Sequence, residues 1–401
     1  MNDMMLEATR LTRASRLIEA TALIQRMLRG ETDSEITCLG NWPPTVDGHA
    51  KTTDETNPFH FNAGPSADYF RPLRDPISRF KYPSRHGLQG WPRPNPLSTP
   101  DIVPDGGKYI EKIYANSAGS RTYKLYIPSG YQGQAVPLIV MLHGGTQTPD
   151  DFAAGTRMNM IAEEETCLVV YPAQPSHANP ARCWNWFRPD DQCRDRGEPS
   201  LIAGITRQVM HDYSIDPRRV YVGGLSAGAA AAAVMGATYP DLYAAIAVHS
   251  GLACGAADDL MSAFAAMRHG GSPNQSDDPG DQPALPTIVF HGDRDTIVHP
   301  RNADHVINHS MRATNWQTKV HRGQVPGGHA YTCMIHTDAN GQVILEQWCI
   351  HGAGHAWSGG SPAGSYTDPR GPDAAREMLR FFRDHPAIAR ETEAANCESS
   401  Q

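Results

Sequence analysis

Gly224-Leu225-Ser226-Ala227-Gly228 is the stretch from which the rest of this chain can be read. It fits the pattern G-x-S-x-G, and its neighbours give that pattern a structural setting. The apolar run Val220-Tyr221-Val222 leads into it, and an alanine-rich run from Ala229 to Met235 follows. Strand, sharp turn and helix, in that order, hold a serine hydroxyl exposed at the carboxyl edge of a sheet. The flanking glycines leave room for a turn in which a Cβ would clash. A hydroxyl is a poor nucleophile by itself, so such a serine needs a base and an oxyanion site close by.

Working outward, short apolar runs recur at Pro137–Leu142, Cys167–Tyr171, Ala244–His249, Thr287–Phe290 and Val343–Ile350. Tyr109–Ala115 and Thr122–Ile127 read as two further strands joined through Ala118-Gly119-Ser120. Helical patterns lie between the runs, near 157–165, 199–213, 227–239, 301–315 and 373–383. Strands alternating with helices predict an α/β fold with a mostly parallel central sheet flanked by helices. The segment Cys254–Pro286 interrupts the alternation with a short helix, about Ala257–Met267, and a polar loop that either covers the site as a lid or lies aside. These patterns place a catalytic domain at 105–386 and a polar tail at 387–401. Ahead of it, residues 1–30 predict an amphipathic helix, with Met5, Leu17, Ile24 and Leu28 among its apolar positions. Residues 31–104 read as a Pro/Gly-rich irregular arm or linker, with Pro92, Pro94, Pro96 and Pro100 closely spaced.

Composition narrows the function. The 401 residues are 40% hydrophobic, enough for a large core. The net charge of −8 is spread without basic tracts, so a nucleic-acid partner is not expected. No run approaches the ~18 apolar residues of a membrane span. Charged residues from Glu7 to Arg29 break up the N-terminal segment, so no secretion signal is expected and the location expected is cytoplasmic. The eight cysteines show no C-x-x-C pair. They are either reduced thiols or include the pairs Cys333–Cys349, across a hairpin turn at Asn340-Gly341, and Cys183–Cys193. His305 and His309 share a helix face but lack the glutamate of H-E-x-x-H, and no metal site is expected there. The N-terminal helix is expected to pack on its own protein or a second subunit, with a polymer granule or membrane as the alternative.

Three sequence signals follow predicted strands, where an open α/β sheet places its site. They are Ser226, then His291-Gly292-Asp293-Arg294-Asp295, then His351-Gly352-Ala353-Gly354-His355-Ala356-Trp357. The order Ser, Asp, His is that of the α/β-hydrolase triad. His355 is the candidate base, with His351 its nearest competitor. Asp293 and Asp295 are both placed to reach the strand edge. The Pro137 strand ends in His143-Gly144-Gly145-Thr146-Gln147, a glycine-rich loop suited to aiming backbone N–H groups at an oxyanion. The candidate donors are the amides of Gly145 and Ala227. Trp357 and Trp184 are candidate liners of a substrate pocket, Trp186 a weaker one, and Gln147 a candidate for orienting substrate.

Together, Leu142-His143-Gly144-Gly145-Thr146-Gln147, Cys183-Trp184-Asn185-Trp186-Phe187, Gly224–Gly228, His291–Asp295 and Gly354-His355-Ala356-Trp357 carry a resemblance. The chain resembles the polyhydroxybutyrate-depolymerase-like branch of the α/β hydrolases, which also includes feruloyl-esterase-like enzymes. The resemblance covers about 108–384 and implies that Asp295 is the acid. That family often has cysteine after the His-Gly pair, where this chain has Gly145. The implied activity is carboxylic-ester hydrolysis without metal or organic cofactor, on hydroxyalkanoate polyesters, their oligomers or small esters. Feruloyl or acetyl esters of plant polysaccharide are the alternative. A granule- or partner-binding protein with a vestigial site is the non-enzymatic one.

Overall fold

The computed structural model describes residues 102–271, 285–311 and 316–387. The sequence-based expectations for 1–30, most of 31–104 and 388–401 lie outside the described residues. A ten-stranded sheet runs in the order β1-β2-β4-β3-β5-β6-β7-β10-β9-β8. The strands are β1 Lys108–Asn116, β2 Gly119–Ile127, β3 Val136–Leu142, β4 Leu168–Pro172, β5 Ile215–Leu225, β6 Ala245–His249, β7 Thr287–Gly292, β8 Gln317–Gln324, β9 Ala330–Thr337 and β10 Val343–Ile350. The six central strands pair in parallel, and antiparallel strands close both edges. This is an α/β-hydrolase fold.

The central strands β3, β4 and β6 are apolar along nearly their whole length, as befits strands covered by helices on both faces. Leu138, Val140 and Leu142 of β3 join one core, and Ile139 and Met141 the other. The first core packs on the helices Gly197–Asp212, Ala227–Thr238, Leu260–His269 and Arg301–Ser310. The second takes Pro149–Thr156, Met158–Glu165 and Ala374–Asp384. Helix Ala227–Thr238 is buried almost throughout, and its small alanines allow it to sit tight on the sheet.

Three differences from the sequence reading have physical causes. The hairpin β8–β9 was not expected, since β8 is a polar edge strand exposed over nearly its whole length and gives no apolar run. Helix Pro149–Thr156 was also not expected; its Thr148 cap and first-turn proline were the available signals. The turn at Asn340-Gly341 does join β9 to β10, but Cys333 pairs with Trp348, and Cys349 with Thr332. That one-residue offset sends the two thiols to opposite faces of the sheet. Cys183 and Cys193 are also free thiols. Helix Leu260–His269 is tied to helix Arg301–Ser310 by Asn302 Nδ2, which donates to the Ala266 carbonyl at 3.0 Å. Residues 272–284, the rest of the segment expected either to cover the site or to lie aside, are outside the described residues.

Candidate active site

The carboxyl ends of β3, β5, β6, β7 and β10 are neighbours along one sheet edge, and the residues singled out in the sequence gather there. Ser226 directly follows β5 and caps the next helix, with φ 57° and ψ −119°. A non-glycine residue in that region carries strain on the order of 1–3 kcal/mol. The turn is held by neighbours. The Ser226 N–H donates to the His249 carbonyl at 2.9 Å, and the Ser226 carbonyl accepts from Ala230 at 3.0 Å. A Cβ on Gly224 would sit 2.5 Å from the Leu142 carbonyl oxygen, and one on Gly228 only 2.0 Å from it. Both glycines are therefore required for the loop after β3 to close on the turn.

That loop lies against the serine. A Cβ on Gly144 would be 3.6 Å from Ser226 Cβ. Its conformation is fixed from beneath. His143 is buried, its Nδ1 donates to the Gly144 carbonyl at 2.8 Å, and its Nε2 accepts from the Gln174 amide at 3.1 Å. Burial pushes its imidazole down to about 4, so the ring stays neutral and keeps both bonds. Gln174 in turn donates to the buried carboxylate of Glu198, which also accepts from Asn185 N and Nδ2, each at 2.7 Å. The Ala227 N–H is the first of its helix and has no intrahelical acceptor. Among the described residues, neither it nor the Gly145 N–H donates to another backbone or side-chain group. The first belongs to the residue after Ser226, and the second to the residue after Gly144, which lies against the serine.

Asp295 and His355 come together. His355 Nδ1 donates to Asp295 Oδ2 at 2.7 Å. Asp295 Oδ1 accepts from the amides of Ile297 and Val298, each at 2.9 Å. His291, fully buried, places Nε2 at 3.3 Å from Oδ2 and at 2.8 Å from the Val298 carbonyl. Burial by itself raises the Asp295 carboxyl, but hydrogen bonds from His291 and His355 outweigh it and hold the group well below the usual carboxylate range. With Nδ1–H committed to Asp295, His355 keeps a bare Nε2 lone pair to accept a proton. The other two candidates form their own pair: His351 Nδ1 lies 2.9 Å from Asp293 Oδ2, both well exposed. No hydrogen bond joins the Ser226 hydroxyl to His355 among the described residues, and such bonds commonly tighten only on substrate binding.

His249 connects the serine turn to the His355 loop and was not singled out in the sequence. Its carbonyl holds Ser226, while its Nε2 accepts from the Ser358 amide at 3.0 Å. Its ring is stacked between Phe290 at 5.6 Å and Trp357 at 4.9 Å. Burial, then the nearby His291 and His355, push it down to about 3. The available signal was a histidine ending an otherwise apolar strand.

The four residues expected at a substrate pocket, Trp357, Trp184, Trp186 and Gln147, are all buried. Trp357 is 1% exposed, packed on His249 and on Phe152, so it supports the site from behind. Trp184 is fully buried and donates to the His143 carbonyl at 3.1 Å, bracing the same loop; Trp186 is also buried. Gln147 has its amide occupied. Its Oε1 accepts from Gly144 N at 2.9 Å, and its Nε2 donates to Asp151 at 2.9 Å and to the Ser365 carbonyl at 3.1 Å. These bonds anchor the loop.

A family model described as esterase PHB depolymerase matches residues 121–322. A poly(3-hydroxyalkanoate) depolymerase C of Paucimonas lemoignei is 33% identical over 255 residues, 61% of this chain and 60% of that protein. A feruloyl esterase B of Neurospora crassa is 28% identical over 288 residues, 67% of this chain and 89% of that one. An acetylxylan esterase A of Aspergillus ficuum is 28% identical over 202 residues, 47% of this chain and 65% of that one. This chain therefore spans well under the full length of the depolymerase it matches. Among solved structures, an acetyl xylan esterase from Aspergillus awamori aligns with a TM-score of 0.52 at 18% identity, over 69% of this chain and 99% of that one. At that identity the likeness bears on the fold alone.

Proposed function

This chain belongs to the esterase PHB depolymerase family, and from that premise we propose that it is a serine carboxylic-ester hydrolase working through an acyl-enzyme. The observation that carries the reading is the Asp295–His355 contact at 2.7 Å, on the sheet edge where Ser226 stands in its strained turn. Ser226 Oγ attacks the ester carbonyl carbon while His355 Nε2 takes its proton. Asp295 holds the ring in that tautomer and stabilises the imidazolium. The tetrahedral oxyanion is met by the amides of Gly145 and Ala227, and one donor of this kind is typically worth ~10²–10³ in turnover. Collapse of the intermediate breaks the carbon–oxygen bond, and His355 delivers its proton to the departing alcohol. Water then enters, gives its proton to His355, and releases the acid and Ser226. None of these steps requires a metal or an organic cofactor.

For substrate we propose esters of hydroxyalkanoic acids, as oligomers or small esters. The likeness to the Paucimonas lemoignei depolymerase supports this choice. The likenesses to a feruloyl esterase B and an acetylxylan esterase A support feruloyl or acetyl esters of polysaccharide as the second reading. The test has two parts. Wild type and Ser226→Ala are compared on a short-chain aryl ester, where equal rates defeat the assignment of Ser226. Hydroxybutyrate oligomers are then set against methyl ferulate and acetylated xylan, and a higher kcat/KM on either of the latter two selects the second reading.

A further inference from the structure

Asp293, Cys349 and His351 stand together where β7 and β10 run out, beside but apart from Asp295 and His355. One donor atom from each lies within 4.8 Å of the other two. His351 Nδ1 is 2.9 Å from Asp293 Oδ2 and 3.9 Å from Cys349 Sγ. A tetrahedral ion with bonds of ~2.0–2.3 Å spreads its ligand atoms to roughly 3.3–3.8 Å, so the three donors need to move only slightly to share one. The surroundings are those of a ligand set. His351 Nε2 is bonded to Thr332 Oγ1 at 2.9 Å, which fixes the ring with Nδ1 toward the cluster. Asp293 Oδ1 accepts from the Gly352 amide at 2.7 Å, which leaves Oδ2 directed at the other two donors. Outer partners of this kind commonly hold ligating histidines and carboxylates in place.

We propose that Asp293, Cys349 and His351 bind a single divalent ion of the zinc class, with a fourth position open to water. A thiolate, an imidazole and one carboxylate select a borderline ion over magnesium or calcium, which take oxygen ligands in larger number. None of the three takes part in the ester hydrolysis proposed above, and the ion is not needed for it. It would fasten the loop after β7, which carries Asp295, to the loop after β10, which carries His355.

The experiment uses the full chain, stripped of metal and titrated with Co²⁺ as the probe. Wild type is expected to bind one equivalent, with a thiolate-to-cobalt charge-transfer absorption that Zn²⁺ displaces. Cys349→Ser, a near-isosteric change at a half-buried position, removes that absorption while near-UV circular dichroism is unchanged. Thr332→Val keeps the absorption and weakens binding by ~10–100-fold. Excess Zn²⁺ raises the unfolding midpoint of wild type and not of Cys349→Ser. Failure of wild type to develop the absorption overturns the proposal. So does its persistence in Cys349→Ser, which places the metal on another thiol.

Discussion

His291 and His355 reach the same oxygen of Asp295, His355 at 2.7 Å and His291 at 3.3 Å, in a carboxylate with no exposed surface. With two backbone amides on its other oxygen, Asp295 is fully coordinated and fixed in place. Its negative charge is what the adjacent imidazolium needs. Asp295→Asn preserves volume and removes the charge and the tautomer control, so kcat on a short-chain aryl ester falls by ~10⁴ with KM little changed. Steady-state kinetics on the folded variant check this. A loss of less than about tenfold would take Asp295 out of the proton path.

His291→Phe tests the second contact. The variant keeps ring volume but deprives the buried Val298 carbonyl of its donor, which costs about 1–3 kcal/mol. Asp295 retains His355 and both amides, so turnover falls much less than in Asp295→Asn. Urea unfolding and kcat are measured on the same preparation. A variant as stable as wild type, or as inactive as Asp295→Asn, contradicts this division of roles.

Acid lability follows from two buried histidines. Burial holds His143 at about 4 and His249 at about 3, against an unfolded value of ~6.5. The unfolded chain therefore binds more protons between those values and pH 6.5. The stability these rings contribute is complete above about 6.5 and is lost as pH falls toward 4 and then 3. The depressed carboxyl of Asp295 adds a loss that begins lower, below the ordinary carboxylate range near 3.9. Chemical denaturation at stepped pH will show stability declining from pH 6.5 downward. His249→Gln, which keeps an acceptor for the Ser358 amide without a titrating ring, flattens that decline. An unchanged slope in the variant rules His249 out as a source.

The parallel centre of the fold was legible because it is buried on both faces, and unbroken runs such as Leu138–Leu142 have no other easy home. The edges were not, because β8 turns polar side chains outward along almost its whole length and carries no periodic signal. The site shows the same split. Ser226, the Asp293/Asp295 pair and His355 follow strands in an order that the sequence displays directly, and the choice of Asp295 over Asp293 came from the family resemblance. His249 was missed because its part is played as much by a backbone carbonyl as by its ring. Trp357, Trp184 and Gln147 were assigned to substrate from residue type, and each is buried. Residue type indicates what a side chain can do, whereas the face it occupies depends on packing by distant segments. The cysteine pair across the Asn340-Gly341 turn failed on register, which a single displaced residue decides.

Gly145 and Cys183 offer a test of how the oxyanion loop is held. A Cβ built at Gly145 lies 3.9 Å from Cys183 Cβ and 3.5 Å from its Sγ. Disulfide-bonded residues have Cβ separations of about 3.5–4.5 Å, so Gly145→Cys meets the geometric requirement. Pairing will be slow, since burial and the neighbouring Glu198 push the Cys183 thiol up to about 12 and leave little thiolate to react. Refolding in a glutathione redox buffer supplies the exchange. The expected product has two fewer titratable thiols than the same variant after reduction. Closing a loop of roughly 40 residues stabilises the fold by up to about 4 kcal/mol in the chain-entropy description. The amide of residue 145 is unchanged by the substitution, so ester turnover of the oxidised variant stays within a few fold of wild type. Two thiols that remain titratable after refolding, in a chain of native circular dichroism, would mean that the loop sits farther from Cys183 than this geometry requires.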